Sequence, residues 1–177
     1  LPIYLVIANN VLAHVPNISD FVKGISILLK PKGLVTFEFP HFLNLIKNNQ
    51  YDTIYHEHYS YLSLISVKNI FKRNGLKIFD VQEIKTHGGS LRVFAQKKNS
   101  KFYKLGKNVL KIIKAEKKFK LNSLNTYKNF QNSAEKNKDD LIRFLLDCKK
   151  KGLKVAAYGA AAKGNTLLNF AGIRKDL

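Results

Sequence analysis

The chain has 177 residues, 45% of them hydrophobic, and carries 31 Lys and Arg against 12 Asp and Glu, a formal net charge of +19. That supports a packed core in one domain or parts of two, and no run nears the roughly 20 apolar residues of a membrane span. The single cysteine, Cys148, excludes an intrachain disulfide framework and a multi-cysteine metal site within these residues, and reads as a plain helix residue. Taken alone, the charge points to nucleic acid or an anionic surface. Arg is scarce, however (Arg73, Arg92, Arg143, Arg174), and Lys is scattered among Asn and Ile, as under a coding bias. A nucleic-acid partner is therefore disfavoured, while a positive field would gather a diphosphate-bearing substrate. No signal-peptide pattern opens the chain, so a cytoplasmic location without membrane contact is expected.

In chain order, Leu1 to Ala8 is apolar and β-branched and predicts a buried strand. Asn17 to Asp20 offers helix caps, and Phe21, Val22, Ile25, Leu28 and Leu29 then recur at helical spacing. Lys30-Pro31-Lys32-Gly33 is expected to end that helix and turn the chain into a second strand, Leu34 to Phe39, closed by Pro40. Strand, helix and strand in this order imply parallel strands of an α/β sheet. Residues 41 to 63 have no clean period and are rich in aromatics, His and Asn, the mark of a functional irregular segment. A short helix is predicted over Val67 to Asn74, stopped by Gly75. Leu76 to Ile84 and Leu91 to Gln96 read as an antiparallel pair. A Lys-rich helical arm follows from about Gly106 to Lys151, with a break near Asn122 to Asn125. Leu153 to Tyr158 is predicted as a further strand, and Thr166 to Phe170 opens a helix. The chain starts within a strand-like run and stops just after a helical pattern, so it reads as a fragment cut at both ends.

The densest polar cluster is Tyr51-Asp52-Thr53-Ile54-Tyr55-His56-Glu57-His58-Tyr59-Ser60-Tyr61. It holds general acids and bases that work near neutral pH. Forming a carbon–carbon bond beside a ketone needs such a base, and a donor for the enolate oxygen. Two other readings stay open: a zinc site built on His56, Glu57 and His58, or a polar loop whose His residues bond the backbone. His14, Glu38 and His41 stand at the carboxyl ends of parallel strands, where α/β sheets bind ligands. Gly159-Ala160-Ala161-Ala162-Lys163-Gly164-Asn165 lies between the last strand and helix. Small residues there let a backbone approach an anion at a helix N-terminus, with Lys163 as counter-charge; tight packing of helix on strand is the alternative. His87-Gly88-Gly89-Ser90-Leu91-Arg92 permits a tight turn. From it Ser90 and Arg92 could reach sugar or phosphate oxygens, although a plain hairpin turn fits too.

These residues also carry a family resemblance. Ala8 to Val15 with Leu29 to Gly33 resembles the second half of a class I methyltransferase domain. The string Tyr51 to Tyr61 resembles the signature of the S-adenosylmethionine (SAM)-dependent sugar C-methyltransferases, as do Thr86 to Arg92 and Ala157 to Asn169. The resemblance implies the C-terminal half of a Rossmann-like SAM methyltransferase sheet over residues 1–100. A helical arm and the start of a C-terminal α/β domain, binding substrate and nucleotide, would follow over 101–177. It implies C-methylation of a dTDP-linked or similar nucleotide-linked keto-deoxysugar through an enolate. His58 would be the general base, with Tyr55 and Glu57 positioning substrate and tuning that base, and His14 near the ketone or enolate oxygen. Asn9 and Asn10 would line the SAM side. His56, His87, Ser90 and Arg92 would face substrate, and Gly159, Ala160, Lys163 and Asn165 would hold the diphosphate. No metal is expected in these residues; the family's zinc belongs to an N-terminal region that, with the glycine-rich SAM loop, would precede Leu1, so the fragment alone should be inactive. Two other functions fit less of the pattern: C-methylation of a non-sugar carbonyl compound, and a non-catalytic basic nucleotide-binding module.

Overall fold

The computed structural model describes residues 2–159 and 161–175. It divides into two compact units, one of Leu1–Asn44 with Glu57–Asn122, the other of Leu45–His56 with Ser123–Leu177.

The first unit is built on a four-stranded mixed sheet. Its elements are β1 (Ile3–Asn9), α1 (Ile18–Leu28), β2 (Leu29–Pro40), the start of α2 (Phe42–Lys47), α3 (Leu64–Arg73), β3 (Leu76–Ile84), β4 (Ser90–Lys97) and α4 (Lys107–Lys118). The strand order is β1-β2-β4-β3, with β1 parallel to β2 and β4 antiparallel to both of its neighbours. The α/β sheet and its closing antiparallel pair therefore stand as the sequence predicts. The core lies where β2 and β4 meet the helices. Phe37, Phe39, Leu91, Val93 and Ala95 are fully buried there, along with Val22 of α1 and Leu64, Val67 and Phe71 of α3. The rings of Phe37 and Phe71 sit 4.8 Å apart, and each such side chain contributes about 1.5–3 kcal/mol of burial.

Helix starts follow from local hydrogen-bond needs. Asn17 accepts from the Asp20 backbone N–H at 3.0 Å to open α1. Ser63 and Ser66 form a reciprocal capping box, so α3 begins at Leu64, three residues before the expected Val67.

Three strand expectations need correction. Lys30 to Gly33 does not turn the chain between elements; it is an irregularity inside β2, where Ile3 pairs with Leu29 but Leu5 already pairs with Leu34. Gly33 is required there, since a Cβ would lie 2.9 Å from the Ile3 carbonyl oxygen. β1 is not a buried strand either. Among the described residues it pairs with β2 alone, and Tyr4, Leu5 and Ile7 are 63%, 51% and 65% exposed. Leu153 to Tyr158 pairs with no strand among the described residues, so it forms none. A strand exists only as part of a ladder.

The second unit contains α5 (Phe130–Lys150) and α6 (Ala162–Ala171), with short 3-10 turns at Tyr51–Thr53 and Leu124–Tyr127. Tyr51 packs its ring 5.3 Å from that of Phe170. Leu45, Ala134, Leu145 and Ala171 are buried.

Candidate active site

The site of the first unit lies where β1 and β2 end. After β1 the chain turns sharply: Asn10 adopts a left-handed φ of 52° and its N–H donates to the Glu38 carbonyl at 2.8 Å. Asn9 and Asn10 are exposed at the carboxyl end of a parallel strand, the position where such sheets bind ligands. The turn continues to His14, which meets the returning segment. The Ala13 carbonyl accepts from the Tyr59 and Ser60 N–H groups at 2.9 and 3.2 Å.

His14 and His58 come together there, their ring centroids 4.8 Å apart, and the Tyr61 ring lies 5.9 Å from that of His58. Nδ1 of His14 donates to the Glu57 carbonyl at 2.9 Å. A carbonyl oxygen only accepts, so the neutral His14 ring carries its proton on Nδ1 and presents a lone pair on Nε2. His14 and His58 are half-buried, whereas the Glu57 side chain is exposed and only its carbonyl takes part in this contact.

Glu38 organises the neighbouring strand end. It is 5% exposed. Arg92 donates to its Oε2 through Nη2 at 2.8 Å and Nε at 3.3 Å, and Thr86 donates to Oε1 at 3.2 Å. The turn from Thr86 to Ser90 is tight as expected: His87, Gly88 and Gly89 have φ of 52°, 79° and 110°. Gly89 has no room for a Cβ beside the Asn44 amide. Ser90 is 1% exposed and spends its hydroxyl on the Thr86 carbonyl at 3.0 Å. His87 is exposed, and Arg92 keeps a half-exposed guanidinium.

His41 closes β2. It is 2% exposed, and its Nε2 donates to Oε1 of a fully buried Glu116 at 2.8 Å. Glu116 escaped the sequence reading. The signal was its spacing: it is the only acid in α4, yet it falls on the same face as the buried Val109 and Ile112.

In the second unit, Tyr55 is half-buried and packs edge-on against the exposed His56 ring, 6.4 Å between centroids. Burial, and then the Asp52 charge, push the Tyr51 phenol above its usual 10.0. The expected anion loop is shorter than its motif, because α6 begins at Ala162 and takes Lys163, Gly164 and Asn165 into its first turn. A Cβ on Gly159 or Gly164 would meet nothing within 4 Å among the described residues, so close packing at that position does not require either glycine. Ala160 lies outside the described residues. Among the described residues, no group of three or more His, Cys, Asp and Glu converges as a metal would need, and no helix is long and apolar enough to cross a membrane.

Two family models match the chain: one described as methyltransferase domain over residues 2–81, and one described as C-methyltransferase C-terminal domain over 85–177. The chain is 36% identical over 169 residues to the C-methyltransferase NovU of Streptomyces niveus, a match that covers 96% of this chain and 40% of that protein. It thus spans about 40% of the length of the curated relative. It is also similar to the crystal structure of magnesium protoporphyrin IX methyltransferase (ChlM) from Synechocystis PCC 6803 with bound SAH. That likeness has 18% identity and a TM-score of 0.42, over 54% of this chain and 45% of that one.

Proposed function

We propose, from the premise that this chain belongs to the SAM-dependent C-methyltransferase family, that the full-length protein methylates carbon beside the ketone of a nucleotide-diphosphate-linked keto-deoxysugar. The observation that carries the reading is the pairing of His14 and His58 at the carboxyl end of β1, with Tyr61 beside them. It puts a base and a second titratable ring against one small volume.

In this reading His58 takes the proton from the carbon next to the ketone, and the C–H electron pair moves into the enolate. His14 faces the oxygen that gains charge. Its Nδ1 is committed to Glu57, so only the doubly protonated ring donates from Nε2. SAM, when bound, supplies the electrophilic methyl group that the enolate carbon takes up. Asn9 and Asn10, exposed at the strand end, fit one side of that cofactor.

Tyr55 and Glu57 would position the sugar, with His56, His87 and Arg92 turned to substrate, whereas Ser90, expected to face substrate, is buried with its hydroxyl on the Thr86 carbonyl and holds the turn instead. Glu38 pre-orients the Arg92 guanidinium and leaves Nη1 to reach an anion. The diphosphate is assigned to Gly159, Ala160, Lys163 and Asn165, where α6 starts without a side-chain cap. Residues 1–100 would be the rear part of the SAM domain and 101–177 the beginning of the substrate domain, in a cytoplasmic enzyme.

The test uses full-length protein, labelled SAM and a dTDP-linked keto-sugar. Label in the sugar carbon skeleton, with dTDP as a competitive ligand, is expected. Turnover of a simple keto acid without any dTDP binding would move the substrate outside the nucleotide sugars. Retention of dTDP without methyl transfer would leave only a nucleotide-binding module.

A further inference from the structure

We propose that Glu116 is a positioning residue for the reaction: with His41 it forms a buried clamp that fixes where His58 stands. The inference rests on His58 being the base. A carboxylate with no solvent exposure, on a helix otherwise rich in Lys, is costly to bury unless fully bonded. Glu116 is so bonded, and its partners come from two distant parts of the chain. Oε1 accepts from His41 Nε2 at 2.8 Å and from the Leu64 N–H at 2.6 Å, while Oε2 accepts from the Ile65 N–H at 2.9 Å. Leu64 and Ile65 are the first two residues of α3, whose N–H groups have no partner inside the helix. Ser63 accepts the third, from Ser66, at 3.1 Å.

Stabilising α3 alone would not require His41. What His41 adds is closure of the polar segment at its root. It forms an isolated parallel bridge with Leu62, the Phe42 N–H donates to the Leu62 carbonyl at 3.0 Å, and the His41 N–H donates to the Gly89 carbonyl at 3.0 Å. Leu62 to Ile65 is therefore tied to the end of β2 and, through it, to the Thr86–Ser90 turn. His58 precedes Leu62 by four residues. Nearer to it on the same side, Tyr59 and Ser60 bond the Ala13 carbonyl, one residue before His14, and on its other flank the Glu57 carbonyl accepts from His14 Nδ1. The base is thus held directly at Glu57 and at Tyr59–Ser60, and the clamp anchors the segment that runs on from it through Leu62. Nδ1 of His41 has no hydrogen-bonding partner among the described residues, where the bond to Glu116 is what orients that ring.

The full-length enzyme tests this with Glu116→Gln, which keeps the volume but turns an amide N–H toward a backbone N–H. The account expects kcat to fall about 10- to 100-fold, as misplacement near 1 Å does, with KM for the nucleotide sugar nearly unchanged. Val109→Ala, on the same buried face of α4, serves as the control for lost stability and should keep kcat well below its own melting temperature. If Glu116→Gln does not accumulate as folded protein, His41→Leu carries the test. It spares the α3 cap and should lower kcat in the same way. Wild-type kcat in either folded variant, or equal kcat loss in Val109→Ala at equal loss of melting temperature, overturns the clamp. His58→Ala in the same assay reports on the underlying reading separately: retained turnover there sinks the choice of base, whatever the clamp variants do.

Discussion

The returning segment 57–65 and the segment 153–165 are both irregular over much of their length, and both hold groups suited to anions or protons. They differ in how the chain holds them. In the first, the Ala13 carbonyl takes two backbone N–H groups, Glu116 takes two more, and His14 bonds the Glu57 carbonyl. In the second, Leu153, Val155 and Tyr158 are 59%, 46% and 107% exposed, and a Cβ on Gly159 or Gly164 would meet nothing within 4 Å among the described residues. Proton transfer tolerates only a small error in placement. Holding a diphosphate asks for donors at a helix start and a counter-charge, and these can take their final arrangement with the ligand bound. Under the proposed function, the first part would do the chemistry and the second would capture the nucleotide.

The largest expected effect comes from the rigid region. His58→Ala in the full-length enzyme should lower kcat by about 10³- to 10⁴-fold while SAM binding, read by calorimetry, stays intact. Unchanged turnover would place the base elsewhere. Next, Glu116→Ala leaves two buried donors and one half-buried donor without an acceptor and should cost about 3 kcal/mol or more of stability. A urea midpoint equal to wild type would mean that the clamp is not closed in solution. In the open region, Lys163→Ala should weaken dTDP binding about tenfold, the loss of one charge-assisted contact, without touching kcat at saturation. A fall in saturated kcat with dTDP affinity intact would erase the distinction between the two regions.

The smallest effect concerns Tyr51. Burial, then Asp52, raise its phenol pKa above 10.0 in the folded state. The unfolded chain ionises first, so the stabilising contribution is whole below about pH 10 and fades as pH climbs through the folded value. Tyr51→Phe should remove a small alkaline loss of melting temperature between about pH 9 and 11. Parallel melting curves for the two proteins would refute that assignment.

Local rules made much of the first unit legible. Asn17 announces α1, the alternation over Leu76 to Ile84 and Leu91 to Gln96 announces β3 and β4, and the glycines at 88 and 89 announce their turn. The match over residues 85–177 bears out the resemblance read from the late motifs, and the tyrosine–histidine string falls within the methyltransferase-domain match over 2–81. What escaped depends on partners distant in sequence. β1 reads as buried from its apolar run, yet burial requires something on its outer face. Leu153 to Tyr158 has strand composition, yet a strand requires a neighbour. Glu116 looks like one more charge in a Lys-rich helix, because its partners lie 51, 52 and 75 residues away. Only the 109, 112, 116 spacing hinted that it faces inward.

The central claim is that His58 removes a proton from the carbon beside the ketone. Solvent exchange tests it most directly. The full-length enzyme is placed in D2O with dTDP-linked keto-sugar and S-adenosylhomocysteine, so that the proton can leave but no methyl can follow, and proton NMR watches the carbon next to the ketone. The account predicts loss of that proton signal with wild-type enzyme and its persistence with His58→Ala. Exchange that proceeds equally in both proteins would contradict it.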